Sequence, residues 1–491
     1  MRMRTLFVSG VTAILLTLLS FPLHAAIPSL RYVVVFKNER IPSDAAETIE
    51  AAGGRLVKTF PLAGIGIALS GDPAFASHLG SIESIEAYGN VRVRPIPIGV
   101  SRPKGDLFPS DDLYGYQWNV RRVKADKAWR ITTGSHRTVV AVIDTGVAWN
   151  HPDLMQNVIY AACFTSAGSC KGKAPAQDCP CTPYPDLNPH GTEVAAIIAA
   201  ASDGRGMVGV GPGLGIAGYN VFEWVDGQGE YAYDDSVWSA MFDAAGQGFR
   251  VMNISLGDTV DRIEDKATIT AWTRVVKAVI KEGVTIVASA GNDGIRLDGQ
   301  TVHIPSDLPG VVSVGATGIR PEPRYPQDGA FDVAAFYSNY GRPIDLAAPG
   351  GDCGVDGSCP QDPALLPPNW YEYGVLTAFV CPGCSFTANS SPFLWVTGFA
   401  WDPACIATAS CQTDYTWTIG TSVAAPHVSA VAGLILDRFP YLNNHFVAAI
   451  LKASAENLGN HPYFGSGMVD AFRAVGGRDS IFGDPRGEKD R

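Results

Sequence analysis

The stretch Val139-Val-Ala-Val-Ile-Asp144-Thr-Gly146 is an apolar run that ends on an acid and a glycine. Its β-branched residues, from Thr138 to Ile143, predict a buried strand. Three similar runs lie further on, at Val251–Ile254, Val284–Ser289 and Val311–Val314. Helical stretches alternate with them at Val194–Ala201, Asp235–Ala245, Ala267–Glu282 and Val423–Leu436. Strands alternating with helices predict an α/β fold, a mostly parallel sheet flanked by helices, over residues 106–476. Sites in such sheets lie beyond the carboxyl ends of strands. Asp144 is therefore placed to orient a base, although Asp-Gly also ends strands as a plain turn.

Working outward, two excursions interrupt the alternation, at 160–188 and 351–418. Both are rich in Pro, Gly and Cys and read as surface loops or small subdomains. Upstream, residues 27–105 show a β-α-β-β-α-β order: strands at Tyr32–Phe36, Arg55–Phe60, Gly64–Leu69 and Ile85–Val93, helices at Ser43–Ala52 and Asp72–Leu79. That order suits a small α+β, ferredoxin-like domain. Pro95, Pro97, Pro103 and Pro109 then mark an exposed linker over 95–115, a natural place for a proteolytic cut. Residues 477–491 read as a polar tail.

Residues 1–26 read as a signal peptide: Arg2 and Arg4, an apolar Leu6–Leu19, a Pro22 break and small residues at Ala25-Ala26. The run is short for a bilayer anchor. No later segment is long and apolar enough to span, so no membrane association is expected once the signal is removed, and the destination is the periplasm or the medium. The ten cysteines fit an oxidising compartment. They fall into Cys163, Cys170, Cys179, Cys181 and Cys353, Cys359, Cys381, Cys384, Cys405, Cys411, two even sets that local disulfides could use up. Cys381-Pro-Gly-Cys384 also has a metal-like spacing, but the export signal favours disulfides. A net charge of −11 argues against a nucleic-acid partner.

Two more patterns carry chemistry. His190-Gly-Thr sits at the head of a helix of small residues, and His is the usual general base near neutral pH. Alone it reads more readily as a capping or loop histidine. Gly420-Thr-Ser422-Val-Ala-Ala-Pro426-His opens an apolar helix, with Pro426 expected in the first turn, where backbone donors are free anyway. A serine there is commonly an N-cap. It also brings a hydroxyl close to free amide donors, which suits a developing oxyanion.

Together, Asp-Thr-Gly, His-Gly-Thr and Gly-Thr-Ser-Val-Ala-Ala-Pro-His resemble the subtilisin-like serine protease (subtilase) family, in that family's order. The resemblance extends from about residue 30 to 475. It implies a subtilisin-like fold and a secreted serine endopeptidase, made as a zymogen, that cleaves polypeptides through an acyl-enzyme. Asp144, His190 and Ser422 would form the triad. Ala288-Ser-Ala-Gly-Asn292 resembles the oxyanion stretch, with Asn292 as a donor. Ser255-Leu256-Gly257 resembles the strand that pairs with substrate backbone and forms a wall of the specificity pocket, Gly257 letting substrate approach, and the resemblance makes Ala290 and Gly291 substrate-binding as well. Residues 27–105 resemble the propeptide, which inhibits until removed; a stable accessory domain is the other reading. No cofactor is implied for catalysis. Structural calcium is common in the family, but no ligand is assignable here. Val423 departs from the Met usual after the nucleophile, and both excursions lie outside the resemblance. A silent binding protein on the same fold is the main competitor. An esterase would rather show Gly-x-Ser-x-Gly around its serine.

Overall fold

In a computed structural model of the chain, the described residues are 30–91, 93–95, 102–103, 113–172, 188–225, 229–297, 299–320, 331–354, 359, 373–381 and 412–477. The signal-like segment, most of the linker and the polar tail lie outside them.

The N-terminal part has strands β1 (Leu30–Phe36), β2 (Arg55–Phe60), β3 (Ile65–Ser70) and β4 (Ile85–Asn90), with helices α1 (Ala45–Ala51) and α2 (Phe75–Leu79). They form an antiparallel sheet in the order β2-β3-β1-β4. Strand alternation sends side chains to opposite faces. Tyr32, Val34 and Phe36 join Ile49, Phe75 and Leu79 under the two helices. Val33 and Val35 join a second core that belongs to the larger domain.

The larger domain is built on a nine-stranded sheet. It comprises β5 (Val139–Asp144), β6 (Val158–Thr165), β7 (Gly168–Gly172), β8 (Gly215–Asn220), β11 (Val251–Ile254), β13 (Thr285–Ser289), β15 (Val312–Arg320), β16 (Phe331–Ala334) and β17 (Leu346–Pro349). Outside it lie β9 (Phe222–Val225), β10 (Gly229–Tyr233), β12 (Asp258–Asp261), β14 (Thr301–Ile304), β18 (Val375–Cys381) and β19 (Gln412–Thr418). The sheet runs β16-β15-β13-β11-β5-β8-β6-β7, with β17 also on β15. Its pairings are parallel except at β7 and β16. β5, first of these strands in sequence, lies between β8 and β11, so the direction in which strands are added reverses there and the switch point falls at Asp144.

The domain's helices are α3 (His190–Ala199), α4 (Asp234–Gly246), α5 (Lys266–Lys281), α6 (Thr421–Arg438) and α7 (Asn444–Ser454). β5 feeds both cores. Val140 and Val142 pack with residues of α3 and α6 on one face. Ala141 and Ile143 pack with Trp238 of α4 and Trp272 of α5 on the other. Each large apolar side chain so buried contributes about 1.5–3 kcal/mol relative to exposure.

Two boundaries differ from expectation in ways that matter. α3 begins at His190, four residues before the expected Val194, because the low helix propensity of His-Gly-Thr hides a turn fixed by tertiary contacts. α6 begins at Thr421, so Pro426 is its sixth residue, one turn deeper than expected. Part of each excursion is also regular structure. β6 and β7 extend the main sheet, and Cys163 of β6 stands opposite Cys170 of β7, both disulfide-bonded. β18 and β19 pair with each other, and the short linker strand Arg102–Pro103 adds to β19. Pairing satisfies their backbone groups, which lets β18 be buried. Cys353 is bonded to Cys359. Cys384, and with it the metal-like spacing, lies outside the described residues.

Candidate active site

Asp144 is the last residue of β5 and is fully buried. His190 is the first residue of α3, and its Nδ1 is 2.7 Å from Asp144 Oδ1. The same oxygen accepts the Thr145 amide at 2.8 Å. Because a carboxylate can only accept, the imidazole proton sits on Nδ1 and the lone pair on Nε2. Thr145 also ties the two chain segments together. Its hydroxyl donates to Asn188 O at 2.9 Å and accepts from the Gly191 amide at 2.9 Å. The approach is close enough that a Cβ on Gly191 would collide with Gly146 O.

Ser422 is the second residue of α6 and is 4% exposed. Its amide is one of the first-turn donors that a helix leaves without an internal acceptor. The side chain does not cap the helix. Instead, Gly420 and Asn292 shape its surroundings. Thr421 gives both its amide, at 2.9 Å, and its hydroxyl, at 2.8 Å, to Asn292 Oδ1. This turns the Asn292 Nδ2 donor towards the serine. A Cβ placed on Gly420 would stand 2.8 Å from Ser422 Oγ and 3.6 Å from both Ser422 N and Asn292 Nδ2. The bare face of Gly420 therefore opens on the point where one hydroxyl and two N–H donors converge. Tyr337, buried, holds that glycine: its hydroxyl accepts the Gly420 amide at 3.0 Å and lies 2.8 Å from Gly350 O.

Pro426 has no amide to give to Ser422 O, the acceptor one turn back. Ser255 Oγ donates to that carbonyl instead, at 2.7 Å. Asn253 Nδ2 supports Ser255 at 2.9 Å, and Ser429 Oγ supports Asn253 at 2.8 Å. The Ser255 hydroxyl thus faces into the protein rather than towards a ligand. Leu256 is fully buried. Ala290 spends its amide on Val314 O and its carbonyl on Asn339 Nδ2, both at 3.0 Å. Gly291 gives its amide to Thr421 Oγ1 at 3.2 Å and accepts from the Asn339 amide at 3.0 Å. The space beside Gly257, expected to admit substrate, is filled by His303 and by Ile304 O.

The histidine of the serine motif, His427, is fully buried. Its Nδ1 is 2.9 Å from Val423 O, and its Nε2 is 2.9 Å from Asn119 Nδ2. Burial pushes it down to about 4, so it is neutral and structural. Val423 packs with Ile197 of α3, Val375 of β18 and Trp118. Part of the second excursion therefore lies beneath the helix that carries Ser422. Glu193, one turn along α3, is also buried. Burial pushes its carboxyl up to about 7 despite a hydrogen bond from Thr418 and the proximity of His190. Glu193, Asn253 and Tyr337 carry no local sequence signal, because each acts through a partner far along the chain. Thr145 and Gly420 lie inside the acid and serine motifs, but their hydrogen-bonding and spacing roles show only in the fold.

Among the described residues no group of three or more His, Cys, Asp or Glu converges as for a metal ion. Likewise no helix among them is long and apolar enough to cross a membrane.

Comparison with known proteins gives a consistent picture. The model of the subtilase family matches residues 135–469. Subtilisin NAT of Bacillus subtilis subsp. natto is 25% identical over 457 residues, covering 91% of this chain and 90% of the relative. The thermophilic serine proteinase of Bacillus sp. (strain AK1) is 28% identical over 371 residues, 75% of this chain and 69% of that one. In fold, the epidermin leader peptide processing serine protease of Staphylococcus aureus matches with a TM-score of 0.67 at 20% identity, over 94% of this chain and 100% of its own.

Proposed function

The chain belongs to the subtilase family and is a serine endopeptidase that acts on polypeptides without a catalytic cofactor; on that premise we propose that Ser422 is its nucleophile, His190 its base and Asp144 the residue that orients the base. His190 Nε2 takes the Ser422 proton as Oγ attacks the scissile carbonyl carbon. Asp144 stabilises the imidazolium that forms. The tetrahedral oxyanion settles in front of Gly420, where Asn292 Nδ2 and the Ser422 amide donate to it. The imidazolium then protonates the leaving amine, and water releases the acyl group by the same route. The observation that carries this reading is the convergence of Ser422 Oγ, Ser422 N and Asn292 Nδ2 on the bare face of Gly420. Fixed donors of this kind act without reorganising during the reaction.

The enzyme is also proposed to be exported as a zymogen, with residues 1–26 as signal and 27–105 as propeptide. Support comes from how the N-terminal domain sits. Its sheet shares an apolar core with α4 and α5. Arg274 of α5 binds Phe36 O and Glu86, and Lys277 is 2.6 Å from Glu39. Arg31 and Lys58 both face Asp235 of α4. Beyond the sheet, Val93–Pro95 pairs antiparallel with Tyr231–Tyr233 of β10. That strand edge is thus already taken by an extended segment of the chain itself, as a peptide inhibitor would take it.

One experiment with two readings tests the proposal. Secreted wild-type protein is expected to start between about residues 98 and 115 and to react at Ser422 with a fluorophosphonate. The Ser422→Ala protein is expected to lose about 10⁶-fold in kcat, the magnitude found when the nucleophile of a subtilisin is removed. Normal hydrolysis by the variant would sink the assignment, and full activity in a chain starting near residue 26 would sink the zymogen.

A further inference from the structure

β11 and β13 are neighbouring parallel strands, and Ser255–Gly257 and Ala290–Asn292 leave their carboxyl ends. One side chain touches both segments. His303 sits in β14, opposite Thr259 of β12, and is 4% exposed. A Cβ on Gly257 would lie 2.8 Å from His303 Nε2, and one on Gly291 would lie 2.7 Å from Cδ2 and 2.8 Å from Nε2. The imidazole therefore fills the gap between the two segments. It is held there from behind. Nδ1 is 2.9 Å from Ser306 Oγ, the His303 amide donates to Asp307 Oδ2 at 2.8 Å, and Asp307 N returns to His303 O at 2.8 Å. A ring so anchored and so buried has no easy way to swing aside.

The proposed chemistry fixes what must enter this gap. A peptide attacked by Ser422, with its carbonyl oxygen on Asn292, carries the preceding residue's side chain beside Gly291, the chain neighbour of Asn292. The opposite wall is Ser255–Gly257, which touches Ser422 through Ser255. We propose that His303 is the floor of the specificity pocket and that the enzyme accordingly cleaves after small side chains, such as Ala or Ser, and rejects aromatic ones. Both glycines are small for the imidazole's sake, so the depth that two glycine walls would offer a substrate is already filled by protein. Each methylene that a pocket excludes or admits is worth about 10–200-fold in selectivity.

This inference rests on the Ser422 assignment, and the test separates the two. Matched peptides differing only in Ala or Phe before the scissile bond are assayed with wild type, His303→Gly and His303→Ala. Fluorophosphonate titration supplies the concentration of folded, competent sites in each preparation. Wild type is expected to favour Ala over Phe by more than about tenfold in kcat/KM, and both variants to shift that ratio towards Phe by about tenfold or more. A wild type that favours Phe would overturn the inference. So would variants that react with the probe yet keep the wild-type ratio. A wild type that does not react with the probe overturns the Ser422 assignment itself, and the pocket with it.

Discussion

Two helices begin at the site, and each has a glycine at its start whose missing side chain is indispensable for a different reason. At α3 the absent Cβ of Gly191 lets two backbones meet, Gly191 against Gly146, and so brings His190 to Asp144. At α6 the absent Cβ of Gly420 leaves a space bounded by Ser422 Oγ, Ser422 N and Asn292 Nδ2. One glycine serves the contact of protein with protein, the other, on the proposed mechanism, the contact of protein with reacting substrate. The same residue type in two similar motifs thus distinguishes assembly of the site from occupation of it.

Substitution can break this contrast. Gly420→Ala is expected to have the larger kinetic effect. A methyl there would stand where the oxyanion forms, and kcat should fall by about 10²–10³, comparable to the loss of one oxyanion donor. The backbone at φ +153° adds a strain of about 1–3 kcal/mol. Burst titration and steady-state kinetics on the folded fraction would check it; near-normal turnover would show that the space is unused. Gly191→Ala should act through structure. Forcing α3 away from Gly146 is expected to cost about 1–3 kcal/mol by overpacking. A displacement of His190 by about 1 Å should reduce kcat by about 10². Its kinetic loss should come with a lowered Tm, and a fully active variant of unchanged Tm would contradict the packing argument.

The effect that leaves the chemistry untouched, on stability alone, concerns Glu193, one turn along α3. Its folded-state value, raised from 4.5 to about 7, means that the native protein holds this proton more tightly than the unfolded chain. The associated stability is fully present below pH 4.5 and is lost as the pH rises to about 7, by about 3 kcal/mol in all. Glu193→Gln should remove this decline. Thermal unfolding of fluorophosphonate-inactivated protein at about pH 4.5 and about pH 8 would show it as a flatter Tm profile. A decline as steep as that of wild type would mean that another group carries it.

Much of this molecule is readable from its chain because the informative residues are local. Val139–Asp144 announces its strand by composition, and Asp144, His190 and Ser422 sit within short motifs. What escaped the reading is long-range. Tyr337 holds a glycine 83 positions away. His303 is an ordinary strand residue until the fold sets it between Gly257 and Gly291. The start of α3 was hidden because His-Gly-Thr lacks helix propensity and is shaped by Thr145 instead. The depth of Pro426 was misjudged for a related reason: counting from Ser422 ignores that Gly420 is the N-cap. Part of the cysteine-rich excursion before Ser422, unmatched by any motif, proved to lie beneath α6 through Val375.

The proline in α6 has a mechanical consequence. A helix stiffened only by its own ladder would let its first turn fray, and Ser422 would fray with it. Here the rung that Pro426 removes is replaced by a latch from Ser255, on the segment leaving β11. The position of Ser422 is thereby referenced to the sheet as well as to its own helix. Rocking of α6 as a whole need not carry Ser422 out of register with Asn292, which hangs from the adjacent strand of that same sheet.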